Sequence, residues 1–302
     1  MRRAARGQAA SFSARVIATY GRTSMLADDG GGLWSAVRRG RRGDVVVGDL
    51  VTATRAAEGQ AAIESIEPRS SLLYRADAFR TKELAANVDQ VVVVFASRPS
   101  FNLWFIWKAL LAARTAGIEA IVVRNKTDLA EGAAAAQSAL DEIHALGWRT
   151  LAISARNEAA QARTLLTPLT HNRCSLLVGQ SGMGKSTLLN LLVPDAQART
   201  REFSERLDQG KQTTTAARWF DLPGSGALID TPGFQEFGLA HLSTADVVAG
   251  FPEFAQYLGH CRFLDCRHLV EPECAIRRAL ESGDITAARY DFYRSLAEAR
   301  TR

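Results

Sequence analysis

Long apolar runs are missing from this 302-residue sequence. No stretch approaches the ~18 residues of a membrane-crossing helix, so neither a span nor a membrane partner is expected. The N-terminus, Met1-Arg2-Arg3-Ala4-Ala5-Arg6, is basic but has no apolar core behind it. It is expected to be a basic arm and not a secretory signal. Cysteine is scarce, with 4 in the chain, too few for a disulfide scaffold. Cys174 stands alone, whereas Cys261, Cys266 and Cys274 cluster. In a cytoplasmic chain that cluster points to a metal before a disulfide. No charge of one sign dominates: the net charge of +5 permits a polyanionic partner without requiring one. With 47% hydrophobic and 23% charged residues, the chain has the composition of an ordinary soluble globular protein. Its length suits about two domains with room for a further module.

What is present centres on Gly179-Gln180-Ser181-Gly182-Met183-Gly184-Lys185-Ser186-Thr187. An apolar run leads in, and Leu188, Leu189, Leu191 and Leu192 lead out. This is the strand, phosphate loop and helix order of G-x-x-x-x-G-K-S. The glycines let backbone N–H groups turn toward phosphate oxygens at the positive end of the following helix. Lys185 would reach the β- and γ-phosphates, and the Ser186 hydroxyl would ligate Mg²⁺. The loop implies a nucleoside triphosphate but not its base.

Upstream, five short β-like runs lie between about residues 10 and 70, separated by glycine-bearing turns. They suit a small barrel, with an OB-fold the natural candidate. Arg38, Arg39, Arg41 and Arg42 on one of its loops suit contacts to nucleic-acid phosphates; a solvated loop is the plain alternative. An α/β alternation comes next: strands at 90–95, 120–124 and 150–153, with helices at about 102–116 and 133–146. Such Val/Ile-rich strands between helices indicate a parallel sheet buried on both faces.

Two of those strands end in Asn125-Lys126-Thr127-Asp128 and in Ser154-Ala155. Ligands of doubly wound sheets bind at such carboxyl ends. An aspartate there can accept from both N1–H and the exocyclic amine of guanine, which adenine cannot return. The Lys126 stem would pack over the ring, Asn125 would tie the loops together, and the Ala155 N–H would meet guanine O6. The nucleotide is therefore expected to be GTP. The order is inverted, because the guanine motif precedes the phosphate loop, and this predicts a circularly permuted Ras-like domain.

After the loop, Gln212-Thr213-Thr214-Thr215 lie in an aperiodic stretch where a threonine would serve Mg²⁺ and the γ-phosphate. A hairpin about Pro223-Gly224 then leads into Asp230-Thr231-Pro232-Gly233, the D-x-x-G pattern. Asp230 would hold Mg²⁺ through water, and the Gly233 N–H would sense the γ-phosphate. Phe234 comes immediately after, where many GTPases carry a water-orienting glutamine. An apolar ring cannot do that, so slow turnover accelerated by a partner is expected. Near the end, Cys261-x₄-Cys266-x-His268-x₅-Cys274 supplies a closed tetrahedral set for structural Zn²⁺. His260 is the alternative imidazole. Two helices, at about 273–282 and 284–300, close the chain.

The combination resembles the ribosome small subunit-dependent GTPase A (RsgA) family of circularly permuted GTPases over essentially the whole chain. Arg75-x-Asp77-x-x-Arg80-x-Lys82 with Ala85-Ala86-Asn87-Val88-Asp89-Gln90 resembles that family's entry to the GTPase domain. Cys261-Arg262-Phe263-x-x-Cys266-x-His268 with Glu271-Pro272-x-Cys274-Ala275 resembles its zinc motif. The resemblance implies an OB-fold barrel (1–70), a permuted GTPase domain (71–240) and a helical zinc-binding domain (241–302). It further implies maturation of the small ribosomal subunit, binding to its 16S rRNA, and GTP hydrolysis to GDP stimulated there. The free protein is expected to be a cytoplasmic monomer. In this chain Gln212 stands where the family usually has a proposed water-positioning histidine. A GTP-gated RNA-binding module with incidental hydrolysis is the alternative.

Overall fold

The computed structural model describes residues 11–38, 44–76, 81–194, 196, 217–232 and 234–300. Five strands form the first unit: β1 (Ser11–Tyr20), β2 (Thr23–Asp28), β3 (Leu33–Arg38), β4 (Leu50–Ala57) and β5 (Gln60–Ile66). Neighbours pair antiparallel except β3 and β5, and β1 also pairs β4, so the sheet closes on itself. Alternate residues turn inward, and Ala14, Val16, Leu26, Ala36, Val51, Ala53, Ala61 and Ile63 fill the interior. Small side chains suffice because five strands enclose little space. The expected OB-fold barrel is present. At one mouth Phe12 and Trp34 sit 5.1 Å apart with the Arg55 guanidinium over both rings.

A hairpin of β6 (Leu72–Ala76) and β7 (Thr81–Ala86) joins the barrel to the α/β part of the chain. Arg69 fastens that joint. It bonds the wholly buried carboxylate of Asp49 at 2.7 Å and Glu83 on β7 at 2.7 Å.

The α/β half contains β8 (Gln90–Ala96), β9 (Glu119–Asn125), β10 (Arg149–Ala152), β11 (Cys174–Val178), β12 (Arg218–Asp221) and β13 (Ala227–Asp230). They lie in the order β10-β9-β8-β11-β13-β12 and are parallel except for β12. Helices α1 (Leu103–Thr115), α2 (Ala133–Ala145), α3 (Ala159–Thr170) and α4 (Lys185–Leu192) accompany them. All seven residues of β8 are buried, as a central parallel strand requires. β1 also pairs with β12, through Ala18 opposite Arg218, and this joins barrel and α/β half in one eleven-stranded sheet.

The chain ends in α5 (Thr244–Ala249), a 3₁₀ turn (Pro252–Tyr257), α6 (Ala275–Ser282) and α7 (Ala287–Glu298). Its aromatic side packs on α1. The Phe292 ring lies 5.4 Å from Trp107, and Arg289 stacks over Trp107 while bonding Glu253 at 2.6 Å. Helix α3 lies where the sequence reading names no element, and its threonines and Pro168 are poor helix formers. Thr164, Thr167 and Thr170 instead return their hydroxyls to carbonyls four residues back.

Candidate functional site

A cavity of about 1200 Å³ opens at the carboxyl ends of β9, β11 and β13. Its wall includes Asn125, Lys126, Asp128, Ser154, Gln180, Ser181, Gly182, Gly184, Lys185, Ser186, Thr187 and Asp230. The two motifs that lie far apart in the chain therefore meet. Asn125 sits between them, 2% exposed. Its Nδ2 donates to Met183 O at 3.0 Å, and its Oδ1 accepts from the Ala155 N–H at 3.1 Å. One amide side chain thus links the phosphate loop, the strand end of β9 and the Ser154-Ala155 turn. That N–H, expected to face guanine O6, is directed at Asn125 in this structure.

The close approach explains Gly184. A Cβ there would stand 2.2 Å from Asn125 Nδ2, and its φ of +98° suits glycine. Lys126 adds a second brace, donating from Nζ to Gly182 O at 2.6 Å and Arg98 O at 3.0 Å. Thr127 donates its N–H to Ile153 O at 3.2 Å. Asp128 accepts from Ser154 Oγ at 2.5 Å and from Asn157 Nδ2 at 2.9 Å. Asn157 belongs to no expected motif; its place three residues after Ser154 is the only sequence signal.

At the other end Lys185 opens α4, and its ammonium donates to Gly179 O at 2.6 Å and Gln180 O at 3.1 Å. Burial pushes the Lys185 pKa down, against the attraction of Asp230. Burial likewise pushes the Asp230 carboxyl up, opposed by Lys185, the Thr231 N–H and Arg218. A cation bound at Asp230 would reverse that effect. Phe234 lies on the cavity wall with its ring packed edge-on against Phe105 and Phe237, and an apolar ring cannot orient water there. Gln235, the next residue, lies on the cavity wall. Gln212, Thr213, Thr214 and Gly233 lie outside the described residues, as do Arg39, Arg41 and Arg42; Arg38 ends β3.

The second cluster is the sulfur and imidazole set. Nδ1 of His268 lies 3.5 Å from Cys261 Sγ, 3.5 Å from Cys266 Sγ and 3.4 Å from Cys274 Sγ. Cys261 and Cys274 sulfurs are 4.0 Å apart, and all four donor atoms fall within 4.8 Å of one another. Metal–sulfur bonds of about 2.3 Å and metal–nitrogen bonds of about 2.0 Å give tetrahedral edges of about 3.5–3.8 Å. The donor set fits a four-coordinate metal. His260 is exposed and outside it. Burial pushes the Cys266 thiol up to about 12, so its ionisation calls for a cation beside the sulfur. The Ala275 N–H donates to Cys261 Sγ at 3.4 Å, and Tyr290 and Tyr293 hydroxyls hold the carbonyls of His268 and Arg267.

The family model described as RsgA GTPase matches residues 66–240. The chain belongs to the RsgA GTPase family. Proteins named small ribosomal subunit biogenesis GTPase RsgA are similar over most of its length. That of Burkholderia pseudomallei (strain 1710b) is 46% identical over 283 residues, covering 93% of this chain and 90% of the relative. That of Bordetella pertussis (strain Tohama I) is 46% identical over 281 residues, covering 92% and 93%. The crystal structure of YjeQ from Thermotoga maritima aligns with a TM-score of 0.71 at 26% identity, covering 97% of this chain and 99% of that one. YloQ, a circularly permuted GTPase, aligns at 0.68 and 22% identity over 100% and 98%, a likeness of fold. The RsgA family assignment accounts for the inverted order of the guanine and phosphate motifs.

Proposed function

We propose that this chain is a GTPase of small ribosomal subunit biogenesis. It binds 16S rRNA late in maturation, and hydrolysis of GTP to GDP and phosphate times its release. The observation that carries the nucleotide half of this reading is the Asn125 bridge, which puts Asp128 and the phosphate loop on one cavity. The names borne by relatives sharing nearly half their residues support the ribosomal half.

Asp128 accepts from the guanine N1–H and exocyclic amine, with Lys126, Thr127, Ser154 and Ala155 completing the base end. Backbone N–H groups from Gly179 to Thr187 surround the phosphates, and Lys185 swings from its carbonyl contacts to the β- and γ-oxygens. Ser186 and Asp230, both on the cavity wall, are the residues to hold Mg²⁺. Held there, Mg²⁺ would supply charge neutralisation to the phosphates. Thr213 or Thr214, with Gly233, reads the γ-phosphate. Gln212 is the candidate to orient the attacking water. Cys261, Cys266, His268 and Cys274 hold one Zn²⁺, whose closed set leaves no ligand position for chemistry. Arg38, Arg39, Arg41 and Arg42 meet rRNA phosphates. The working units are 1–70, 71–240 and 241–302, in a cytoplasmic protein that is monomeric when free.

GTP turnover measured with small subunits, large subunits and free RNA tests the proposal. Acceleration confined to small subunits is expected, and equal rates in every arm would sink it. Replacing Gln212 by Ala should lower the stimulated rate; an unchanged rate removes Gln212 from the mechanism. The buried ring of Phe234 favours a second reading, a GTP-gated RNA-binding module with incidental hydrolysis. Single-turnover cleavage that small subunits fail to accelerate would select it.

A further inference from the structure

Arg218 belongs to none of the nucleotide motifs, yet it stands at the phosphate end of the cavity. It opens β12, opposite Asp230 of β13 in register. Directly opposed residues project from the same face of a sheet, so the guanidinium shares the side of the Asp230 carboxylate. Arg218 is 5% exposed, and its Nε has no hydrogen-bond partner. Among the described residues it enters no ion pair. A buried Nε–H without an acceptor is unfavourable, and a phosphate oxygen beside Asp230 would satisfy it. With Lys185 it gives two cations around one carboxylate at the end of the cavity where Ser186 sits.

We propose that Arg218 is a ligand of the terminal phosphate of bound GTP, supplied in cis from β12. The backbone of the same residue meets Ala18 of β1, where the barrel joins the nucleotide sheet. Beside it Arg15 of the barrel stacks over Trp219 at 4.6 Å. The seating of the barrel and the presence of a terminal phosphate therefore act on one residue. A partner that shifts the barrel would change how well that phosphate is held.

The inference rests on the GTPase reading, and its test separates the two. Equilibrium affinities for GDP and for a non-hydrolysable GTP analogue are measured on the full-length wild type, Arg218→Met and Arg218→Lys. Arg218→Met should keep GDP affinity within about twofold while losing about tenfold or more for the triphosphate, and Arg218→Lys should recover part of the loss. An unchanged triphosphate-to-diphosphate ratio in Arg218→Met overturns the proposal. Equal loss of both nucleotides, or loss of all binding in both variants, also overturns it by marking a purely structural arginine. A wild type that neither binds nor hydrolyses GTP refutes the GTPase reading itself. A wild type that does both, beside an unaltered Arg218→Met ratio, refutes this assignment alone.

Discussion

The nucleotide cavity and the metal cluster are built on opposite plans. The cavity gathers residues from 125 to 235, carried on and beyond the ends of separate strands. Its polar groups are held by hydrogen bonds to neighbouring loops, as Asn125 and Asp128 are. The cluster takes all its donors from 261 to 274, and those donors face one another. A cavity of the first kind keeps its form through the fold. A cluster of the second kind would keep its form only with an ion among its donors.

The strongest way to break this contrast is to remove the metal. Chelation, or Cys274→Ser, should cost the C-terminal segment much of the ~10–16 kcal/mol that structural zinc supplies in small domains. Hydrogen exchange should show α6 losing protection, and native mass spectrometry should show one metal lost. GDP affinity should fall only a few-fold, because the cavity has its own supports. Loss of GDP binding in parallel would show that the two plans are one.

At the base end, Asp128→Asn should lower GTP affinity by about 10⁴-fold, because an amide cannot accept from both guanine donors. The same variant should gain xanthosine triphosphate, whose C2 oxygen accepts from the new amide. Competition between the two nucleotides reads the switch. A smaller effect is expected from Gly184→Ala, whose Cβ would meet Asn125 Nδ2 at 2.2 Å from a left-handed backbone. A penalty of about 2 kcal/mol should appear as weaker binding of GDP and GTP alike, since the linkage and not one phosphate is disturbed.

The smallest effect belongs to the loop that carries His268 and Cys274. Burial opposes ionisation of Glu271, but the N–H groups of Glu271, Arg267, Leu269 and Val270 together outweigh it and hold its pKa at about 2. Because the folded value lies below the ordinary 4.5, its stabilisation is complete above that value. It fades as pH falls from 4.5 toward 2. Glu271→Gln should therefore cost about 1 kcal/mol at neutral pH, read by chemical denaturation at pH ~7. An unchanged stability at neutral pH would show that the N–H groups around Glu271 add nothing to the loop.

The same contrast decides what could be read from sequence. Ligand spacing alone selects Cys261, Cys266, His268 and Cys274, because the loop is too short to place them far apart. The phosphate loop and Asn125–Asp128 were legible because each needs particular residues at fixed positions. Their meeting was inferred from the order of strands. Asn157 and Arg218 were not legible: the turn after β10 brings the first to Asp128, and strand register sets the second opposite Asp230. The β6–β7 hairpin escaped for a related reason. Its Leu72–Ala76 and Thr81–Ala86 strands are short and only partly buried, and they are held by the Arg69 ion pairs as much as by apolar contact.

The place of β11 has a consequence for the birth of the protein. Gln90 and Ser175, hydrogen-bonded neighbours on β8 and β11, are 85 residues apart in the chain. During translation β8, β9 and β10 emerge first and can extend toward one edge, while the other flank of β8 still awaits β11. Domains tend to fold as they leave the ribosome, and an open apolar edge invites foreign strands. The Val91–Val94 run is therefore exposed to misassociation until the phosphate-loop strand is synthesised. The barrel, finished by Ile66, has no such delay. A stalled or truncated chain ending before residue 174 would carry Asp128 on a half-built sheet, without the Gly179–Thr187 loop that shares its cavity.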